Sequence, residues 1–212
     1  MSYRTNGPET ADYHFLFSHG AGAGMDHEFM EAVASQLGDK GIRVSRFEFP
    51  YMVKRREDGG KRPPDRAPKL IEAFKQQVKK ASRDLNDRQQ LIIGGKSMGG
   101  RMASMLAAEQ PTLPVRAVVC LGYPFHPPGK PERFRGDHLA SLALPTLIVE
   151  GERDTFGTQQ EIADFPDYQQ VRYQFLEDGD HSFKPRKKSG FSQEQHIHSA
   201  VEAIYRFITG LN

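Results

Sequence analysis

Residues 91–104 read LIIGGKSMGGRMAS. An apolar run enters two glycines, a lysine, a single serine and two more glycines, and a helical pattern follows. Within it, Gly95-Lys96-Ser97-Met98-Gly99 fits G-x-S-x-G. With 20 glycines and 12 serines in 212 residues, random order yields roughly a tenth of such a match, so the pattern alone is a weak signal. Its surroundings strengthen it. A nucleophile elbow requires a strand, an abrupt reversal and a helix, with the serine strained at the apex between neighbours that lack a Cβ. Residues 89–93 read as the strand and residues 98–109 as the helix, stopped by Pro111. The N-terminus of that helix offers unpaired N–H groups and a partial positive charge beside Ser97. The plainer alternative is a glycine-rich turn that happens to contain a serine.

Outward from the elbow, short apolar runs alternate with longer helical patterns. Residues 13–18 (YHFLFS), 42–49 (IRVSRFEF), 115–121, 146–150 (TLIVE) and 171–176 (VRYQFL) read as strands. Asp26 is a candidate N-cap for a helix carrying Phe29, Met30, Val33 and Leu37. Leu70, Ile71, Phe74 and Val78 share one face of a helix over 69–82, and a last helix spans 195–208. Residues 52–68 (MVKRREDGGKRPPDRAP) and 126–138 (HPPGKPERFRGDH) are polar and rich in Gly and Pro, and are expected to be loops. Near-continuous apolar strands interleaved with helices imply a parallel sheet covered on both faces. Six strands fit the pattern, in one domain spanning residues 1–212.

Composition narrows the function classes. Lys and Arg number 29 against 27 Asp and Glu, so no excess of basic charge points to nucleic acid. One cysteine, Cys120, excludes an internal disulfide or a multi-cysteine metal site, and its strand context VRAVVCLGY reads as a packed thiol. The first fifteen residues lack the apolar segment of a signal peptide, and no run approaches the ~20 residues that span a bilayer. A cytoplasmic protein with no membrane partner is the simplest expectation. Oligomeric state is not legible.

A serine hydroxyl needs a base to remove its proton. In strand–elbow–helix sites the chain order is Ser, acid, His, with the last two on loops after later strands. TLIVE leads into GERDTFG and VRYQFL into EDGDHSF, which places Asp154 and His181 at carboxyl ends of strands. Glu152, Asp178 and Asp180 compete as the acid. Asp154 is favoured over Glu152 because it lies farther past its strand, and the other two read as turn residues. His196 and His198 stand at i, i+2 on a helix and do not share a face, which argues against a metal pair. An oxyanion needs two N–H donors. Met98 follows the serine, and the His19-Gly20-Ala21-Gly22-Ala23-Gly24 loop offers Ala21 first and Gly22 second. That loop lacks the G-x-x-x-x-G-K-[ST] phosphate pattern.

Five segments, FSHGAGAGMDHEFM, GGKSMGGRMAS, LGYPFHPPGKPE, PTLIVEGERDTFG and GDHSFKPRKKSG, together resemble the α/β-hydrolase superfamily. The closer resemblance is to its small dienelactone-hydrolase-like group, which includes testis-expressed hydrolase-like proteins and the hydrolase-like subunit 3 of a histone acetyltransferase complex. The resemblance implies a three-layer α/β-hydrolase fold, with a mostly parallel sheet of about six to seven strands and no large lid. It also implies a triad of Ser97, Asp154 and His181, with the backbone of Ala21 and Met98 as oxyanion hole. Dienelactone hydrolases proper carry a cysteine nucleophile, whereas serine stands here, so their substrate does not transfer.

The expected activity is hydrolysis of a small ester or thioester through an acyl-enzyme, with no cofactor and no metal. Gly20, Gly22, Lys96, His126 and Arg133 are the candidate substrate-binding residues. Basic residues in 53–64, 183–189 and at Lys130, Arg133 and Arg135 form a collar expected to favour anionic esters, with solvated loop charge as the alternative. The rival function is a catalytically silent binding or scaffold module that uses the same basic loops, since some relatives are thought to act as scaffolds.

Overall fold

The computed structural model describes residues 3–211. Seven strands form one sheet: β1 (Arg4–Asn6), β2 (Tyr13–Ser18), β3 (Arg43–Phe47), β4 (Gln90–Lys96), β5 (Ala117–Leu121), β6 (Thr146–Gly151) and β7 (Val171–Leu176). Among the described residues the α-helices are α1 (Glu28–Asp39), α2 (Pro50–Asp58), α3 (Ala67–Arg83), α4 (Met98–Glu109), α5 (Gln159–Ala163) and α6 (Gln193–Thr209). The strand order is β1-β3-β2-β4-β5-β6-β7, parallel throughout except for β1, which runs antiparallel to β3.

The continuous apolar runs follow from this arrangement, because both faces of the parallel sheet are covered. Phe15, Phe17, Ile92, Val119 and Val149 face one layer, where Val33, Leu37, Val201 and Ile204 of α1 and α6 pack. Leu16, Ile93, Val118, Cys120 and Ile148 face the other, against Phe74 and Val78 of α3 and Met102 and Leu106 of α4. Each large side chain removed from water there contributes about 1.5–3 kcal/mol. Cys120 is fully buried, as its context implies, and burial pushes its thiol pKa well up. No described helix is long and apolar enough to cross a membrane.

The structure corrects the local reading at several places. The 52–68 stretch is not one loop, because α2 begins at Pro50 and runs to Asp58. Pro50 occupies the first turn, where a missing N–H costs nothing, and Gly59 ends the helix with φ +69°. The residues that read as breakers are therefore its start and stop, and Tyr51 and Met52 are its buried face. The α1 cap is His27, whose Nδ1 accepts the Phe29 N–H at 3.2 Å. Asp26 instead takes Arg56 Nη1 at 2.8 Å. The seventh strand, β1, is three polar residues at the sheet edge, too short and too polar for a periodic signal.

Candidate active site

The carboxyl edge of the sheet gathers four loops, those after β2, β4, β6 and β7. β4 breaks directly into α4 at Ser97, which adopts φ 52° and ψ −118°. A non-glycine residue at positive φ costs on the order of 1–3 kcal/mol and persists only where packing imposes it. The packing is visible: a Cβ on Gly95 would stand 2.6 Å from the Ser18 carbonyl oxygen, and one on Gly99 2.6 Å from that of His19. Only residues without a side chain let the turn press this closely on the end of β2.

His181 Nε2 lies 2.8 Å from Ser97 Oγ, and His181 Nδ1 lies 2.6 Å from Asp154 Oδ2. Asp154 is fully buried. Burial opposes its ionised form, but hydrogen bonds from Glu150 and His181 and the Phe156 N–H (2.8 Å) outweigh that, holding its carboxyl below the usual range. With Asp154 an acceptor, the His181 proton sits on Nδ1 and Nε2 is free to accept from the Ser97 hydroxyl. Burial lowers the His181 pKa first, Asp154 raises it and Lys96 lowers it, and the net shift is downward. The imidazole is thus neutral, and basic, near pH 7.

Behind Asp154 lies Glu150 of β6, also fully buried. Its Oε2 accepts the Tyr123 N–H at 2.7 Å. Burial, then the neighbouring Asp154 carboxylate, raises its pKa well above the usual value. Its other oxygen, Oε1, takes no hydrogen bond from a described donor. Glu150, Asp154 and His181 offer ligand-type atoms within 4.8 Å of one another. Among them, His181 Nδ1 and Asp154 Oδ2 are joined by the 2.6 Å hydrogen bond.

The loop after β2 is anchored by its carbonyls. His19 is fully buried. Its Nε2 accepts the Phe49 N–H at 3.1 Å, so its Nδ1 donates to Gly20 O at 2.6 Å. Tyr51 of α2 donates its hydroxyl to Gly20 O (3.2 Å) and Ala21 O (2.9 Å). In a trans peptide the N–H points opposite to the preceding carbonyl, so these bonds aim the Ala21 and Gly22 N–H groups away from Tyr51. Ala21 and Gly22 line the cleft above Ser97. The Met98 amide opens α4 and has no carbonyl four residues back within the helix.

That cleft has a volume of about 550 Å³, and its walls include Gly20, Phe29, Met30, Phe156, Ser182 and Lys184. The expected site residues separate here. Ser97, His181, Ala21, Gly20, Gly22 and Lys96 all line it. His126 and Arg133 do not: His126 is buried with Nδ1 on Pro127 O and Nε2 3.4 Å from Glu161, and Arg133 is exposed beside Glu132. The basic collar is also dispersed. Arg56 pairs with Glu48 and Asp26, Arg186 with Asp178, and Lys184 is the one residue of the 183–189 basic run on the cleft wall, with Glu28 also lining it.

Three contributors were not read from the sequence. Tyr51 was hidden by the reading of α2 as loop. Phe156, whose ring lies 4.3 Å from that of His181, carries no signal beyond its proximity to Asp154. Glu150 does carry one, an acid inside an otherwise apolar strand, TLIVEG.

Fold and site together define a class. The chain belongs to the alpha/beta hydrolase domain family, whose family model matches residues 11–209. Similar solved structures include Est1E from Butyrivibrio proteoclasticus with ferulic acid bound, at TM-score 0.73 and 14% identity over 98% of this chain and 95% of that one. A dienelactone hydrolase from Anabaena variabilis matches at TM-score 0.70 and 20% identity, over 98% and 90%. A thioesterase domain from the curacin biosynthetic pathway matches at 0.61 and 15%, over 97% and 93%. At these identities the likeness is one of fold.

Proposed function

We propose that this chain is a serine hydrolase that cleaves a small carboxylic ester or thioester through an acyl-enzyme. The observation that carries the reading is the unbroken Ser97–His181–Asp154 hydrogen-bond chain, 2.8 and 2.6 Å, opening onto a cleft. Ser97 Oγ attacks the carbonyl carbon while His181 Nε2 takes its proton, and Asp154 stabilises the imidazolium. Negative charge collects on the former carbonyl oxygen, where the Ala21 and Met98 N–H groups receive it. Collapse expels the alcohol or thiol, protonated by His181. Water, deprotonated by the same imidazole, then releases the acid and restores Ser97.

The cleft supports a substrate with an apolar portion. Phe29, Met30 and Phe156 supply apolar wall. The dienelactone hydrolase and thioesterase among the structural neighbours support the ester and thioester classes. The narrower kinship with dienelactone-hydrolase-like proteins is part of the same reading.

Stopped-flow mixing with p-nitrophenyl acetate tests it. Wild type releases p-nitrophenol, in a burst if deacylation is slow, and Ser97→Ala does not. Release at the same rate from folded wild type and Ser97→Ala would remove the reading.

A further inference from the structure

Lys96, the residue before the serine, is in an unusual place for a lysine. Its Nζ donates to the His181 backbone carbonyl at 2.5 Å. The ammonium lies 5.6 Å from the Phe29 ring centre and 5.8 Å from that of Phe183. Room for it is made by Gly122, at the end of β5 with φ +63°. A Cβ there would stand 2.5 Å from Lys96 Nζ and 3.4 Å from His181 Nδ1. The ammonium and the imidazole are therefore within roughly 6 Å of each other, close enough for one charge to bias the other. The loop end of this contact is held as firmly. Phe183 is fully buried at φ +65°, and its carbonyl accepts His196 Nδ1 of α6 at 2.9 Å.

We propose that Lys96 is a positioning residue: it ties the elbow to the loop that carries His181, and its positive charge keeps the imidazole unprotonated as pH falls. The role rests on the hydrolase reading, because it acts through the base of that reaction. The groups facing the pair are few. Glu150 and Asp154 approach from β6 and the loop after it, and Asp180 from the His181 loop itself. His27, Glu28 and Lys184 stand farther along the cleft wall. Glu150, Asp154 and Asp180 are the acids whose charge bears on Lys96. Burial, against the pull of these acids, lowers the Lys96 pKa to about 8. The ammonium is therefore charged at neutral pH and titrates within reach of experiment.

The direction of the effect follows. A cation beside His181 disfavours the imidazolium, so its removal raises the His181 pKa. In Lys96→Met the acid limb of kcat/KM then moves to higher pH by about one unit. A lysine that served only as a strut would lower the rate without moving that limb.

The test follows the His181 ring nitrogens by long-range ¹⁵N–¹H NMR between about pH 4 and about pH 10, in wild type and in Lys96→Met. It needs no substrate, so a failed esterase assay removes the hydrolase reading and leaves this result standing. We expect the His181 midpoint to rise by about one unit in the variant, and wild type to show a second, smaller inflection where Lys96 titrates. An unmoved midpoint in folded Lys96→Met overturns the proposal. If the variant does not fold, the wild-type titration decides, and a single inflection overturns it.

Discussion

Asp154→Asn lowers kcat/KM for p-nitrophenyl acetate by roughly 10³–10⁴-fold, the scale this substitution has in a serine-hydrolase site, or roughly 4–5 kcal/mol of barrier. The cause is tautomeric. Asp154 Oδ2 accepts from His181 Nδ1 at 2.6 Å. An amide nitrogen at the same place donates instead, so the imidazole proton moves to Nε2, 2.8 Å from Ser97 Oγ. The base can then no longer accept the hydroxyl proton. The neighbouring acids serve as controls. Glu152 accepts the Asp178 N–H at 2.9 Å, and Asp178 pairs with Arg153 and Arg186. Neither touches the imidazole, so Glu152→Gln changes the rate less than about threefold. Steady-state kinetics on the three proteins check this, and equal losses for Asp154→Asn and Glu152→Gln would reassign the acid.

Gly99→Ala is expected to destabilise the protein by about 3 kcal/mol or more, a fall in Tm of about 6–12 °C for a chain of this size. The new Cβ would meet Ser18 Oγ and the carbonyl oxygens of His19 (2.6 Å) and Ser18 (2.8 Å). Two of these three are backbone atoms at the end of a central strand and cannot swing aside. Relief must come from moving the elbow, so the variant also displaces Ser97. Gly22→Ala is the counterpart: a Cβ there meets nothing within 4 Å, and its stability stays within about 0.5 kcal/mol of wild type. Thermal unfolding by circular dichroism separates the two. A Gly99→Ala protein as stable as Gly22→Ala would mean that the elbow is not held by this contact.

Long, strongly patterned elements were legible in the sequence. α4 runs from Met98 to Glu109 and β7 from Val171 to Leu176, as their apolar spacing and the Pro111 stop predict. Burial on both faces produces a continuous apolar run, and a covered helix produces a 3.6-residue stripe. What escaped lacks such a signature. β1 is three polar residues, α5 is five, and α2 disguises its cap and its end as breakers. Of the candidate site, the meeting of Ser97, Asp154 and His181 was legible because chain order and strand ends restrict where such groups can meet. The anchoring of the Gly20–Ala21 carbonyls by His19 and Tyr51 was not, since it joins two elements about 30 residues apart through side chains with no shared period. His126 misled for a related reason. A histidine in a Pro-rich loop after β5 was expected to line the cleft, yet it folds inward beside Glu161.

Intact-mass analysis after incubation with a fluorophosphonate probe tests the central claim, that His181 and Asp154 make Ser97 a nucleophile, most directly. Wild type should gain one phosphonyl adduct that maps to Ser97, while folded Ser97→Ala gains none and His181→Ala gains it far more slowly. A folded wild-type protein that stays unmodified, or carries the adduct on another residue, would contradict the account.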